Sequence, residues 1–440
     1  MIQPWKNVQH LTRRALNSPT LVNTFWVGAG TVANGLLGTV SSVLYARALG
    51  VNDFGILTLI ISFITMMAAL TDLGIGGSIV KFGAESVARG ELETLRGVSA
   101  VALRGKLLLI LFVLGLVLLF LNPLLSYIFK HVDARITTYF FLSLIAIVFG
   151  ALSGFLAPVY QVFKQFRRQS VISVIPIASK LILIILAILA LSRLTITLAI
   201  WIEIVAAALL VVLLYISSPF KAFTLRVSDS GLQRRMFSFN KWLSVYFILT
   251  IIGGRLDLFI VGGLSDGHAL GIYGTATKIA SLVIVINNSY LTVMLPDFSS
   301  SISQDDLKRR QRNSWAIVTL IVCGIGFLAL IAEPLVLLLF GGDFADVAPV
   351  LQIMCIGLAS IVLAYPVNAT LFALNRSFVF TITAAVSTLT LIVGNIWLIP
   401  QFGVTGAAAT FASANLLALL TSILFYMFAG RKAVLQLPQS

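Results

Sequence analysis

Charged residues are scarce in this 440-residue chain: Asp, Glu, Lys and Arg make up 10% of it, against 59% hydrophobic residues. Soluble domains carry about 25% charged residues, so this composition excludes an ordinary soluble domain. The apolar residues occur in repeated runs of about 20, the length at which a helix crosses a bilayer. The alternation of apolar and polar residues that transmembrane barrels need is missing. The sequence therefore predicts an all-α polytopic membrane protein.

Residue types that bind metals or catalyse reactions are also few. Cys323 and Cys355 lie in separate hydrophobic stretches without metal-ligand spacing, and the three histidines are scattered. This pattern predicts packing roles for the cysteines and no metal site. No Walker A sequence is present, which argues against direct use of ATP, and no outward connection has the length of a catalytic domain. We expect a protein that is not an enzyme and has no cofactor.

Twelve hydrophobic spans are predicted. They cover residues 22–46, 55–80, 102–121, 138–160, 171–191, 196–216, 238–264, 271–295, 314–332, 350–373, 377–399 and 404–428. Lysine and arginine, Lys106 included, are assigned mainly to one side of the membrane, and the other side receives only Arg47, Lys130, Arg135 and Arg193. Because positive residues accumulate on the cytoplasmic side, both termini are expected there, in a multi-pass protein of the cell membrane. This topology accounts for the net charge of +14, so nucleic acid is not an expected partner.

The two halves of the chain repeat one another. Gly55, in LGVNDFGIL, matches Gly271, in LSDGHALGIY, and Pro158 matches Pro366. Matches in the same chain order predict two six-helix bundles of the same orientation, with a substrate site between them. The predicted divisions are an N-terminal interfacial segment (1–20), an N-terminal bundle (21–216), a cytoplasmic linker (217–240), a C-terminal bundle (241–430) and a cytoplasmic tail (431–440).

Three cations are assigned to neither side and are left inside predicted spans, where each charge costs roughly 2.5–3.5 kcal/mol on insertion scales. Arg255, Lys180 and Lys278 would line a cavity that neutralises an anionic headgroup, since arginine grips phosphate with two nitrogens. Arg255 and Asp257 are expected on one helix, and Asp257 lies at a depth that would let it pair with Lys278. That pairing would leave Arg255 without a protein partner and available to a ligand.

The carboxylates inside the spans are Asp257, Asp72 and Glu203. Each is a candidate for binding a coupling proton or sodium ion, because burial favours the protonated form. For cations and carboxylates alike, the alternative is a structural ion pair or a side chain that reaches the membrane surface. The sequence leaves this choice open.

Three stretches resemble a known family: LYARALGVNDFGILTLIISFITMMAALTDLGIGGSIVKFGAE, RLDLFIVGGLSDGHALGIYGTATKIA and LFALNRSFVFTITAAVSTLTLIVGNIWLIPQFGVTGAAAT. They resemble the O-antigen-type (Wzx-like) polysaccharide flippases of the multidrug/oligosaccharidyl-lipid/polysaccharide (MOP) exporter superfamily. The resemblance implies a V-shaped pair of six-helix bundles and alternating access.

The resemblance also implies the cargo. A polyprenyl-pyrophosphate-linked oligosaccharide would be flipped to the outer leaflet, among membrane lipids and next to polysaccharide polymerase machinery. Arg255, Lys180 and Lys278 occupy suitable helices for its headgroup. Arg47 belongs to the family-like YARALG motif, with a helix-end role as the alternative.

Two other functions are open to a membrane protein of this kind. A multidrug or toxin antiporter of the same superfamily would favour an acidic cavity, which the excess of cations in the spans opposes. A membrane polysaccharide polymerase or ligase would need a sizeable outward active-site loop, which the predicted topology does not provide. The related lipid II flippases usually carry two further helices, which weakens a peptidoglycan role.

Overall fold

The computed structural model describes residues 19–128, 134–191, 193–221, 223, 230–299, 304–374 and 378–430. All regular elements in these ranges are helical. In the first half they are α1 (Pro19–Leu70), α2 (Ile75–Ala88), α3 (Leu92–Ile128), α4 (Ala134–Val162), α5 (Phe166–Leu191) and α6 (Ile196–Ile216). In the second half they are α7 (Ser230–Gly253), α8 (Leu256–Leu264), α9 (Gly267–Ser299), α10 (Gln304–Leu330), α11 (Ala332–Phe340), a 3₁₀ turn (Gly342–Phe344), α12 (Val347–Ala373), α13 (Phe378–Phe425) and a π turn (Tyr426–Gly430).

Two of these helices each contain two membrane spans. α1 turns at Gly50, with φ of 77°, and α13 turns at Gly403, with φ of 57°. Glycine allows this left-handed backbone at little steric cost, so each turn reverses the chain without a longer loop. All twelve predicted spans lie mainly on helices, and eight described helices are long and apolar enough to cross a membrane. The predicted all-α membrane fold is confirmed.

Two predicted spans are broken rather than continuous. The second is interrupted between α1 and α2, where Leu73 and Gly74 have φ of 38° and 87°. The seventh is interrupted between α7 and α8, where Arg255 has non-helical φ and ψ of −138° and −10°. The expectation that Arg255 and Asp257 lie on one continuous helix is therefore wrong. Each break redirects the side chains that follow it.

We call the end of the molecule that carries Gly50 and the α8–α9 turn the outer end, following the predicted topology. There the second half of α1 crosses α9, and a Cβ atom added to Gly274 would lie 2.8 Å from the Thr58 side chain. Phe54 packs edge-on against Phe344, with ring centroids 6.2 Å apart. These contacts close the outer end between the two halves.

The opposite end is held by polar contacts that α7 makes with α2 and with the break before it. Ser78 Oγ donates to Asn240 Oδ1 at 2.7 Å, and Ser244 Oγ donates to the Leu73 carbonyl oxygen at 2.7 Å. α7 begins inside the predicted linker, and its Met236 is buried in the hydrophobic cluster of the first half. Residues 1–18 of the predicted interfacial segment (1–20) and the predicted tail (431–440) lie outside the described residues.

Candidate functional site

A cavity of about 190 Å³ lies between the two halves of the chain. Its walls come from α1, α5 and α6 of the first half and from α9 of the second. Three charged residues line it, namely Lys180, Glu203 and Lys278. The sequence predicted a site between the bundles, and these three candidates are the ones brought together there.

Lys180 and Glu203 form an ion pair inside this cavity. The Lys180 Nζ lies 3.0 Å from Oε1 and 3.3 Å from Oε2 of Glu203, and each side chain is 17% exposed. α5 and α6 are antiparallel neighbours joined by a short turn, which brings the two side chains to comparable depth. The Tyr45 hydroxyl also interacts with the Glu203 carboxylate. The pair therefore contributes no net charge to the cavity.

Lys278 is partly buried on α9 and faces the same cavity. Within the described ranges its ammonium group makes no hydrogen bond or ion pair at bonding distance. Lys180, Arg255 and Glu203 are the charged groups that act on it electrostatically. The cavity therefore holds one cation more than its carboxylates neutralise.

Two uncharged residues also present unsatisfied polar atoms at this cavity. Asn34 donates through Nδ2 to Ser173 Oγ at 3.1 Å, but its Oδ1 has no partner among the described residues. Thr58 Oγ1 is likewise buried without a partner there. An unpaired buried polar atom costs about 1–3 kcal/mol, so a conformational change that gave these two atoms partners would be favoured. Sequence reasoning missed both, because nothing local distinguishes them from other small polar residues of the spans.

Asp257 does not pair with Lys278, and that prediction is wrong. Asp257 Oδ2 accepts a hydrogen bond from the Tyr273 hydroxyl, and Oδ1 accepts one from the Leu258 backbone N–H, both at 2.8 Å. The helix break before Leu256 places Asp257 in the first turn of α8, where a carboxylate meets free N–H groups. Asp257 is not among the residues that line the cavity.

Arg255 also lies outside the cavity lining, at the break itself. Asp257 lies two positions further along the chain and interacts with it electrostatically. The sequence predicts that Arg255 is the cation without a nearby opposite charge. In the structure that cation is Lys278.

Asp72 lies in the broken part of the second span and pairs with Lys106 of α3. Lys106 Nζ and Asp72 Oδ1 are 3.3 Å apart, and the exposed fractions of the two side chains are 0% and 32%. The predicted topology assigns Lys106 to a loop, although the residue lies inside the span predicted at 102–121. That position was the signal that could have identified it as an intramembrane charge.

Arg47 contacts a helix end rather than the cavity. Its Nε donates to the Leu339 carbonyl oxygen at 2.6 Å, and its Nη2 donates to the Leu338 carbonyl oxygen. Both carbonyls belong to the last turn of α11, where carbonyl groups lack helical partners and a cation is favourable. The geometry fits the helix-end alternative for Arg47.

Solved structures share this architecture. An inward-facing MATE family multidrug resistance transporter of the MOP superfamily superposes with a TM-score of 0.76 at 13% identity, covering 92% of this chain and 95% of its own. The lipid II flippase MurJ in an inward closed conformation superposes with a TM-score of 0.74 at 14% identity, covering 93% of this chain and 89% of its own. An outward-facing MATE family transporter superposes with a TM-score of 0.66 at 13% identity, covering 95% of this chain and 96% of its own.

Family membership rests on sequence. A comparison with curated protein sequences finds no match. The model of the polysaccharide biosynthesis protein family matches residues 20–302, more than half of the chain. The chain is therefore a multi-pass membrane protein that belongs to the polysaccharide biosynthesis protein family and shares the fold of these MATE and MurJ structures.

Proposed function

We propose that the protein is a flippase that moves a polyprenyl-pyrophosphate-linked oligosaccharide from the cytoplasmic to the outer leaflet of the cell membrane. The observation that carries this proposal is the unneutralised Lys278 in the cavity, beside the paired Lys180 and Glu203. At low dielectric an uncompensated cation attracts an anion strongly, and pyrophosphate is the anionic part of such a lipid. The family and the lipid II flippase among the similar structures support a lipid-linked cargo.

The size of the cavity limits what it would hold in this conformation. Pockets for drug-sized ligands measure about 300–1,000 Å³. A cavity of about 190 Å³ has room for a charged group but not for an oligosaccharide. Loading would therefore require the halves to separate at the cytoplasmic end, where Ser78 and Ser244 of α2 and α7 make their contacts.

The energy source follows from the charge of the cargo. An inside-negative membrane potential favours the outward movement of a negative charge by about 2.3 kcal/mol per charge per 100 mV. If a proton or sodium ion is coupled to export, Glu203 is the carboxylate that would bind it, because it is the one candidate that lines the cavity. Polysaccharide polymerase machinery would then use the flipped lipid, and both termini would be cytoplasmic.

Complementation of a strain that lacks its surface-polysaccharide flippase tests the proposal. At matched membrane levels, wild type should restore polymer, Lys278→Ala should lower it at least about tenfold, and Lys278→Arg should retain it. Lys308→Ala is the matched control, because the Lys308 side chain is 62% exposed and outside the cavity. Arg255→Ala should be less damaging than Lys278→Ala.

Two results would contradict this assignment. Full polymer with Lys278→Ala would exclude the cavity as the headgroup site. Failure of wild type across several sugar backgrounds, together with resistance to cationic drugs, would favour the multidrug antiporter.

A further inference from the structure

Among the charged residues that are buried or partly buried inside the described spans, each lies near an opposite charge, with one exception. Three sets of opposite charge occur: Lys106 with Asp72, Lys180 with Glu203, and Arg255 with Asp257. Lys278 has no such counterpart among the described residues. The cavity that it shares with Lys180 and Glu203 therefore carries a net charge of +1.

Because this net charge lies between the two halves, its electrostatic energy depends on the conformation of the protein and on the membrane potential. Lys180 and Glu203 belong to the first half, Lys278 belongs to the second, and the cavity lies between them. In alternating access such a site is connected first to one side of the membrane and then to the other. A fixed charge there experiences a different potential in each state, even if its side chain moves little. The net charge of the site therefore sets how the membrane potential biases each conformational change.

We infer that the Lys180, Glu203 and Lys278 cluster divides the electrical work of export between the two halves of the transport cycle. This inference rests on the proposed function, since it takes the cargo to be a diphosphate diester with two negative charges. The empty site carries +1, so an inside-negative potential favours its inward-facing state. The loaded site carries −1, so the same potential favours its outward-facing state. Both steps run downhill, and return of the empty protein needs no coupling ion.

The charge of the Glu203 carboxylate determines how the electrical work is divided between the loaded step and the return step. Without this carboxylate the empty site would carry +2 and the loaded site zero, so the loaded step would lose its electrical driving force. Without the Lys278 ammonium group the empty site would carry no net charge and the loaded site −2. The return of the empty protein would then lose its electrical driving force. The two neutralisations therefore act in opposite directions, which a purely structural role for either residue does not predict.

The experiment measures the conformation of the protein in proteoliposomes at imposed potentials. Fluorophores on Asn52→Cys and Asp343→Cys, exposed positions of the two halves at the outer end, report opening by energy transfer. Cys323→Ser and Cys355→Ala remove the native thiols. A membrane-impermeant quencher separates the two orientations of the protein. The probe is farnesyl-diphosphate-N-acetylglucosamine, a short-chain diester with two ionised oxygens.

For the empty wild-type protein, we expect an inside-negative potential to favour the inward-facing state by up to about 50-fold per 100 mV. Saturating probe should reverse the sign of this dependence. The slope is the change of the logarithm of the conformational equilibrium constant with membrane potential. Glu203→Gln should double the slope of the empty protein and bring the slope with probe to zero. Lys278→Gln should bring the empty slope to zero.

Two variants separate charge from folding defects. Lys180→Gln combined with Glu203→Gln keeps the net charge at +1 and avoids an unpaired lysine, so it should restore the wild-type slope of the empty protein. Glu333→Gln makes the same chemical change at an exposed residue near the outer end and should leave every slope unchanged.

The inference is overturned if the empty wild-type protein does not respond to potential, or if Glu203→Gln and Lys278→Gln shift its slope in the same direction. A different result separates the inference from the proposed function. If the empty slopes follow the expected order but the probe changes none of them, the charge of the site is supported and the proposed diphosphate cargo is wrong.

Discussion

Gly55 and Gly271, which occupy matching positions in the two halves of the repeat, pack directly against each other at the outer end. A Cβ atom on Gly55 would lie 2.5 Å from the Gly271 nitrogen, and one on Gly271 would overlap the Val51 carbonyl oxygen. Small residues allow two membrane helices to approach this closely. The outer closure thus forms where a residue of one half meets its counterpart in the other.

Replacing either glycine should open this closure. We expect Gly55→Ala and Gly271→Ala to destabilise the outward-closed state by about 1–3 kcal/mol, because backbone atoms cannot move aside as a flexible side chain can. The outer-end reporters at positions 52 and 343 would measure a larger outward-open fraction. Gly326→Ala, at a glycine with open space around its Cβ position, is the control and should change nothing. Unchanged energy transfer in both variants would mean that the contact does not restrict opening.

The Lys106–Asp72 pair should be needed for folding. Asp72→Asn leaves a fully buried ammonium group without its counter-charge, a change that costs on the order of 3 kcal/mol. We expect a clearly lower melting temperature in detergent, largely recovered when Lys106→Met removes the lone charge as well. Glu93→Gln is the control, because its pair with Arg96 is exposed and should matter little. Equal melting temperatures for Asp72→Asn and wild type would argue against a structural pair.

Arg47 should stabilise the protein without contributing to headgroup binding. Arg47→Ala removes two donors to the last turn of α11, and we expect a loss of about 1–2 kcal/mol together with easier outer opening. Thermal unfolding in nanodiscs measures the loss, and Arg193→Ala, an exposed arginine on the same predicted side, serves as the reference. If the farnesyl-diphosphate probe bound more weakly to Arg47→Ala with stability unchanged, the headgroup role would be the correct one.

Asp257 should prove structural, since its carboxylate is held by Tyr273 and Leu258 away from the cavity. Tyr273→Phe removes a hydrogen bond to a charged acceptor, which we expect to cost about 1.5–3 kcal/mol of stability. Tyr215→Phe, at an exposed tyrosine, is the matched control. A change in the pH or sodium dependence of transport in Asp257→Asn, at unchanged stability, would instead return it to a coupling role.

Much of the fold follows from local properties of the sequence. Apolar runs of bilayer length give the spans, and this is why all twelve were located although Gly50 and Gly403 join two pairs into single long helices. The broken second and seventh spans were not predicted, because hydropathy does not register a few non-helical residues inside an apolar run.

The sequence by itself determined the membrane fold, the match between Gly55 and Gly271, and the short set of charges that had to have a role inside the bilayer. Only the tertiary structure decided which charges pair. The Lys180–Glu203 and Asp72–Lys106 pairs depend on the relative depth and rotation of separate helices. The Asp257–Tyr273 contact depends on a helix break that redirects the carboxylate. Depth and rotation come from packing across the whole bundle, so Lys278 is identified as the unmatched cation only once the helices are in place.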